Sequence, residues 1–265
     1  MGLKRKEELI LLFNDAVDAI DEPLNNVIAL DEDIEAVHQY RVKIRQLRAL
    51  IAFFKPRLNK EIAKEMNLRL KKMASVFSKV RELDVLSQHW SEISDDQEPR
   101  QHDFGTVLVN AKKQARIEAY AKFRATQTKN DLMWIKEQFE NMFDDYNQLA
   151  PFIKKRLNQW LESIREDIEK LDIEDYPAMH QLRIRIKRLR YSLTLLNNYV
   201  DELMTEKIKP SKLWAEQLGV ICDYQRIKEI IDELFLREDE PKYILLDSLK
   251  SEVDETYEHL KNTEL

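Results

Sequence analysis

Val37-His38-Gln39-Tyr40-Arg41-Val42-Lys43-Ile44-Arg45-Gln46-Leu47-Arg48 recurs 142 residues later as Met179-His180-Gln181-Leu182-Arg183-Ile184-Arg185-Ile186-Lys187-Arg188-Leu189-Arg190. From His38 to Arg48, six of eleven positions are identical, and three more exchange Val for Ile or Lys for Arg. The offset is about half of the 265 residues. We read an internal repeat with homologous halves near 1–146 and 147–265, each a four-helix unit.

On a helix, at about 100° per residue, His38, Arg41, Arg45 and Arg48 fall within an arc of about 80°. Val37, Tyr40, Ile44, Leu47 and Ile51 fill the arc beside it. His180, Arg183, Lys187 and Arg190 repeat the basic stripe in the second half. A cation beside the buried face is partly desolvated, unlike one on the opposite face. Like charges at i, i+3 and i+4 also repel by a few tenths of a kcal/mol per pair. No Asp or Glu occurs between residues 36 and 60 or between 178 and 200. Neutralisation must therefore come from acids on other helices or from a bound anion.

The rest of the chain fits an all-α reading. Apolar residues recur at three- and four-residue spacing nearly throughout, and strand alternation is not sustained. The breaks fall at Pro23, Pro56, Pro99, Pro151, Pro177, Pro210 and Pro241, where helix ends or starts belong. The pattern predicts eight long helices, near 3–29, 33–55, 58–93, 101–127, 129–170 (broken near Pro151), 178–200, 210–236 and 241–262. Short connections predict antiparallel packing of successive helices, as in bundles.

Composition narrows the function. With three glycines, Gly2, Gly105 and Gly219, the chain has neither a dinucleotide-binding glycine loop nor a P-loop. Any phosphate recognition must then come from side chains on helices. The net charge of −6 is an average of opposites. Residues 37–81 hold thirteen Lys and Arg against Glu61 and Glu65, an excess of +11, whereas residues from 229 onward carry a net −8. Within the basic stretch Lys72, Lys79 and Arg81 join the stripe as candidate ligands. Arg116 extends it on the following helix.

Cys222 is the single cysteine, which fits a reducing compartment and a buried thiol. The apolar run Leu9–Phe13 is far short of the roughly 20 residues a membrane span needs, so a cytoplasmic chain with no membrane partner is expected. Trp90, Trp134, Trp160 and Trp214 read as core anchors. No metal-ligand spacing, Ser-His-Asp order or paired-carboxylate signature stands out, and no cofactor is implied.

The doubled His-x-x-Arg-x-x-x-Arg/Lys-x-x-Arg pattern resembles the CHAD family, helical domains named for their histidines. Val80-Arg81-Glu82-Leu83-Asp84-Val85 resembles that family's Arg-Asp-Leu-Asp-Val segment. Leu218-Gly219-Val220-Ile221-Cys222-Asp223 is similar to its Leu-Gly-x-x-x-Asp segment, and Lys187-Arg188-Leu189-Arg190-Tyr191 matches its Lys-Arg-Leu-Arg-Tyr run. Departures are Ser78 for glycine, Glu82 for Asp, and Thr194 where an acid is common. The resemblance implies two four-helix bundles related by a pseudo-two-fold, with a basic groove between them that binds inorganic polyphosphate without catalysis.

His38, Arg41, Arg45, Arg48, Lys72, Lys79, Arg81, Arg116, His180, Arg183, Lys187 and Arg190 are the residues expected to line that groove. The histidines read as phosphate donors, with a structural role as the alternative. Rival functions are a phosphatase or phosphotransferase acting on polyphosphate or nucleotides, a nucleic-acid-binding module, and an adaptor for an acidic protein.

Overall fold

The computed structural model describes residues 2–29, 33–93, 99–139, 141, 149–234, 240–263 and 265. Twelve helices are present among them, joined by short connections, with no strand. They are α1 (Gly2–Asp18), α2 (Asp21–Ala29), α3 (Ile34–Phe54), α4 (Lys60–Ser75), α5 (Ser78–Ile93), α6 (Pro99–Arg124) and α7 (Thr128–Glu137). The second part of the chain supplies α8 (Leu149–Glu169), α9 (Tyr176–Leu195), α10 (Glu202–Thr205), α11 (Ile208–Leu234) and α12 (Glu240–Lys261). The all-α expectation holds.

The prolines punctuate as read. Pro56 sits in the 3-10 turn that closes α3, and Pro177 lies in the first turn of α9. Two helices expected as continuous are divided. Residues 3–29 form α1 and α2, because Pro23 has no N–H to continue the ladder onto Ala19 and the chain restarts at Asp21. Residues 58–93 form α4 and α5, interrupted at Val76 and Phe77. The break expected near Pro151 separates α7 from α8, and most of the stretch between them lies outside the described residues.

Both repeat helices start on an aspartate cap. Asp33 accepts from the Glu35 and Ala36 amides at 2.8 and 3.1 Å. Asp175 accepts from the Ala178 amide at 2.9 Å. Each carboxylate satisfies first-turn donors and complements the helix dipole. The apolar stripes then decide the packing. Tyr40, Ile44 and Leu47 on α3, and Met179, Ile186 and Leu189 on α9, are fully buried.

Helices α1 and α2 pack on α3 as α8 packs on α9, and α5 packs on α6 as α11 packs on α12. Helix α3 also packs directly on α9, so the two copies of the motif meet. The larger apolar cluster draws on both halves, from Leu9 and Phe13 to Trp214 and Leu218. A smaller one joins Leu83, Trp90 and Leu108 of the first half to Ile230 and Leu249 of the second. The buried core therefore joins helices from both parts of the chain, α1–α6 with α9, α11 and α12.

Trp90 and Trp214 are buried, Trp160 packs edge-on against Phe53 with ring centroids 5.3 Å apart, and Trp134 lies beneath the Arg69 guanidinium. All four tryptophans anchor packing. Cys222 is buried, and burial pushes its thiol up to about 11, leaving it protonated and inert near neutral pH.

Candidate functional site

The α3–α9 contact gathers the basic stripes into one cluster, flanked by α5 and α11. Arg45 stands within the fields of Arg183 and Asp223, from the second half, and of Arg81. Lys187 feels Arg183, Arg45, Asp223 and Arg190. His38 feels Arg81, Glu35, Arg45 and Arg41; His180 feels Arg183, Lys187 and Asp223. Arg48 is set against Arg188 and Arg45. Nine of the twelve expected residues are thus brought together: His38, Arg41, Arg45, Arg48, Arg81, His180, Arg183, Lys187 and Arg190.

Their roles diverge. Arg41 is buried, and its guanidinium donates to the Ala74 carbonyl and, at 3.2 Å, to Ser78 Oγ. It ties α3 to the α4–α5 junction. Arg183 makes a two-pronged pair with Asp223 on α11, at 3.0 and 3.4 Å. Its Nε is buried without a partner. Ser78 bonds Arg41, and Gly219 lies close against Arg183. Arg48 donates to Asn67 Oδ1 at 2.9 Å, and Arg190 lies over the Tyr191 ring.

Lys187 and Arg45 sit at the centre. Burial first, then the Arg183 and Arg45 charges, drive the Lys187 ammonium down to about 7. Arg45 is lowered chiefly by burial. Both histidines also fall below their ordinary value. The largest cause in each is burial, followed by Arg81 for His38 and by Arg183 for His180. The Nδ1 atom of His180 is buried and unpaired. The acids whose fields reach the cluster are few, and two of them are engaged: Asp223 by Arg183, and Glu82 by Arg226 at 2.9 Å. The arrangement holds more positive charge than it neutralises, in a partly desolvated setting.

The other three expected residues are placed differently. Lys79 pairs with Glu233 of α11 at 2.8 Å. Arg116, with Lys112, reaches the buried carboxylate of Asp84 at 3.3 Å, beside the smaller apolar cluster. Lys72 is exposed in the last turn of α4. Arg156 donates to the Ala52 carbonyl at 3.3 Å, and Lys154 pairs with Asp201 at 2.9 Å, so both brace α8.

Sequence reasoning overlooked Arg226, Arg188 and Tyr191. Arg226 bonds Glu229 at 2.6 Å as well as Glu82, and so links α11 to α5. Its position three residues after Asp223 was the available signal. Arg188 was inside the quoted motif, but its angle took it off the stripe.

The family model of the CHAD domain matches residues 12–231, and the chain belongs to this family. The crystal structure of the CHAD domain from the plant Ricinus communis superposes with a TM-score of 0.74 at 16% identity, covering 96% of this chain and 86% of that one. PptA from Streptomyces chartreusis gives a TM-score of 0.75 at 12% identity, covering 97% of this chain and 98% of its own. At these identities the likeness is one of fold. No curated protein matches the chain in sequence. Among the described residues, no helix is long and apolar enough to cross a membrane.

Proposed function

We propose that the chain binds inorganic polyphosphate through the α3–α9 cluster and does not turn it over. The observation that carries this reading is the meeting of Arg45 and Lys187. They come from the two motif copies, share a half-buried site, and Lys187 is driven to about 7 by burial and neighbouring cations. An anion entering there would relieve the repulsion and restore the lysine proton.

Polyphosphate suits the site chemically. It carries negative charge and acceptor oxygens on every unit, so it can span cations contributed by both halves. Arginine offers a planar fork to phosphate oxygens, and lysine a compact charge. Recognition would rest on charge and side-chain geometry, with no base edge to read. The non-catalytic part of the proposal is supported by the state of the carboxylates. Phosphoryl transfer calls for acids placed to hold Mg²⁺, whereas Asp223 and Glu82 are committed to Arg183 and Arg226.

The test is a titration with polyphosphate of defined length across a range of salt concentrations. Log affinity should fall linearly with log salt, as condensed counterions are released. At one fixed salt, polyphosphate should displace RNA. With Mg²⁺ present, no phosphate should be released. Salt-independent binding, preference for RNA, or release that stops in Asp223→Asn would each overturn the proposal.

A further inference from the structure

Helix α4 runs beside α3 in the opposite direction. Arg41 of α3 donates to the Ala74 carbonyl, and Arg48 donates at 2.9 Å to Asn67 Oδ1. Counted at about 100° per residue from Lys60, the buried Ala63, Met66, Leu70 and Met73 fill an arc from about 220° to 300°. Asn67 falls at about 340°, on the edge that meets α3. Lys60, Lys71 and Lys64 follow at about 0°, 20° and 40°, and all three are exposed. They form a basic stripe about 16 Å long that adjoins Arg48 through Asn67. Lys72, at about 120°, lies off it.

The stripe is not neutralised. Among the described residues, Lys60, Lys64 and Lys71 form no ion pair. The acids of α4, Glu61 and Glu65, fall at about 100° and 140°, on the edge away from α3. Glu65 is engaged by Arg69 at 2.7 Å, and Arg69 also reaches Asp131 of α7 at 2.7 Å, so that edge faces α7. On the α3 side, Arg48 is partly desolvated and set against Arg188 and Arg45, cations of the cluster itself. The lysines of α4 therefore continue the cluster outward, from half-buried cations to hydrated ones.

We propose that this stripe is an outer subsite, which holds the part of a long polyphosphate chain that extends beyond the α3–α9 cluster. The inference rests on the polyphosphate reading and adds to it a second place of contact and a preference for long chains. A chain leaving the cluster past Arg48 has Lys71 beside it, then Lys64 and Lys60 toward the start of α4. An exposed ammonium contributes little by itself. A chain already held in the cluster presents its further units at high local concentration, so these contacts are intramolecular and add to affinity. Tripolyphosphate is too short to occupy the cluster and span the stripe as well.

The experiment titrates the full chain with tripolyphosphate and with long-chain polyphosphate at several salt concentrations. Lys60→Gln/Lys64→Gln/Lys71→Gln should weaken the long chain by about tenfold and flatten its slope of log affinity against log salt by about two. Its tripolyphosphate affinity and melting temperature should stay at parental values. Lys60→Arg/Lys64→Arg/Lys71→Arg should keep the parental long-chain affinity. Lys122→Gln/Lys170→Gln/Lys250→Gln removes the same charge from exposed positions elsewhere and should change neither affinity. If the parent binds neither ligand, the polyphosphate reading falls and this inference with it. Parental long-chain affinity in the α4 glutamine variant, equal loss of both ligands, or an equal loss in the control variant would overturn the outer subsite alone.

Discussion

A Cβ placed on Gly219 would lie 3.1 Å from Nη2 of Arg183, the guanidinium that pairs with Asp223. The glycine in the middle of α11 is thus the space into which the second-half arginine folds. Alanine there gains about 1 kcal/mol of helix propensity, but the flexible end of Arg183 must shift by a few tenths of an ångström. Gly219→Ala should leave the melting temperature equal or higher and weaken polyphosphate binding several-fold. Calorimetry and titration on the same sample check both. A large loss of stability would mean that the guanidinium cannot yield.

Proton uptake should accompany binding. The Lys187 ammonium is held near 7 and both histidines lie below their ordinary value, so all three gain protons when a polyanion arrives. Affinity should therefore rise as pH falls from 8 through 7, where Lys187 charges, and rise further below that as His38 and His180 follow. A titration series from pH 8 to 5.5 measures it; a flat profile would remove all three groups from the binding step.

The same lysine fixes a sign for stability. Its folded-state value lies below that of the unfolded chain, so well below pH 7 both states are charged and the fold bears the full cost of burying the ammonium. Above 7 the folded state sheds the proton first, and the ligand-free protein becomes more stable with rising pH until the unfolded lysine also titrates. Lys187→Met should raise the ligand-free melting temperature at pH 6, by about 2–4 °C per kcal/mol recovered, and narrow the gap between pH 6 and pH 9. Equal melting temperatures for variant and parent at pH 6 would contradict the burial cost.

Arg41 and Arg45 should separate in mutagenesis although they share a stripe. Arg41 holds the Ala74 carbonyl and Ser78, so Arg41→Met strands a buried acceptor and should cost about 1–3 kcal/mol of stability. Arg45 carries no such duty, and Arg45→Met should lower affinity with little change in melting temperature. Denaturant unfolding of the two variants decides it.

The meeting of the motif helices was legible in the sequence because two identical amphipathic patterns state which face of each is apolar. The break at Val76 and Phe77 was not legible, since neither glycine nor proline marks it. Phe77 is buried there against Tyr40, Tyr120 and Phe123, a long-range contact that local pattern does not encode. The division of labour among the cations was hidden for the same reason. Asp223, Glu233 and Asp84 come from other helices or later turns, and only the fold shows that Arg183, Lys79 and Arg116 are taken up by them. Helical angle placed Arg45 and Lys187 on the right faces; their lack of acidic neighbours within the motif was the clue to their state.

The central claim rests on those two residues acting together across the halves. The most direct measurement is the affinity of Arg45→Glu/Lys187→Glu for polyphosphate of one defined length, at fixed salt and pH 7, with helicity followed by circular dichroism. The account predicts that binding is lost while helicity matches the parent. Parental affinity in a fully helical double variant would contradict it and place the polyanion site elsewhere on the chain.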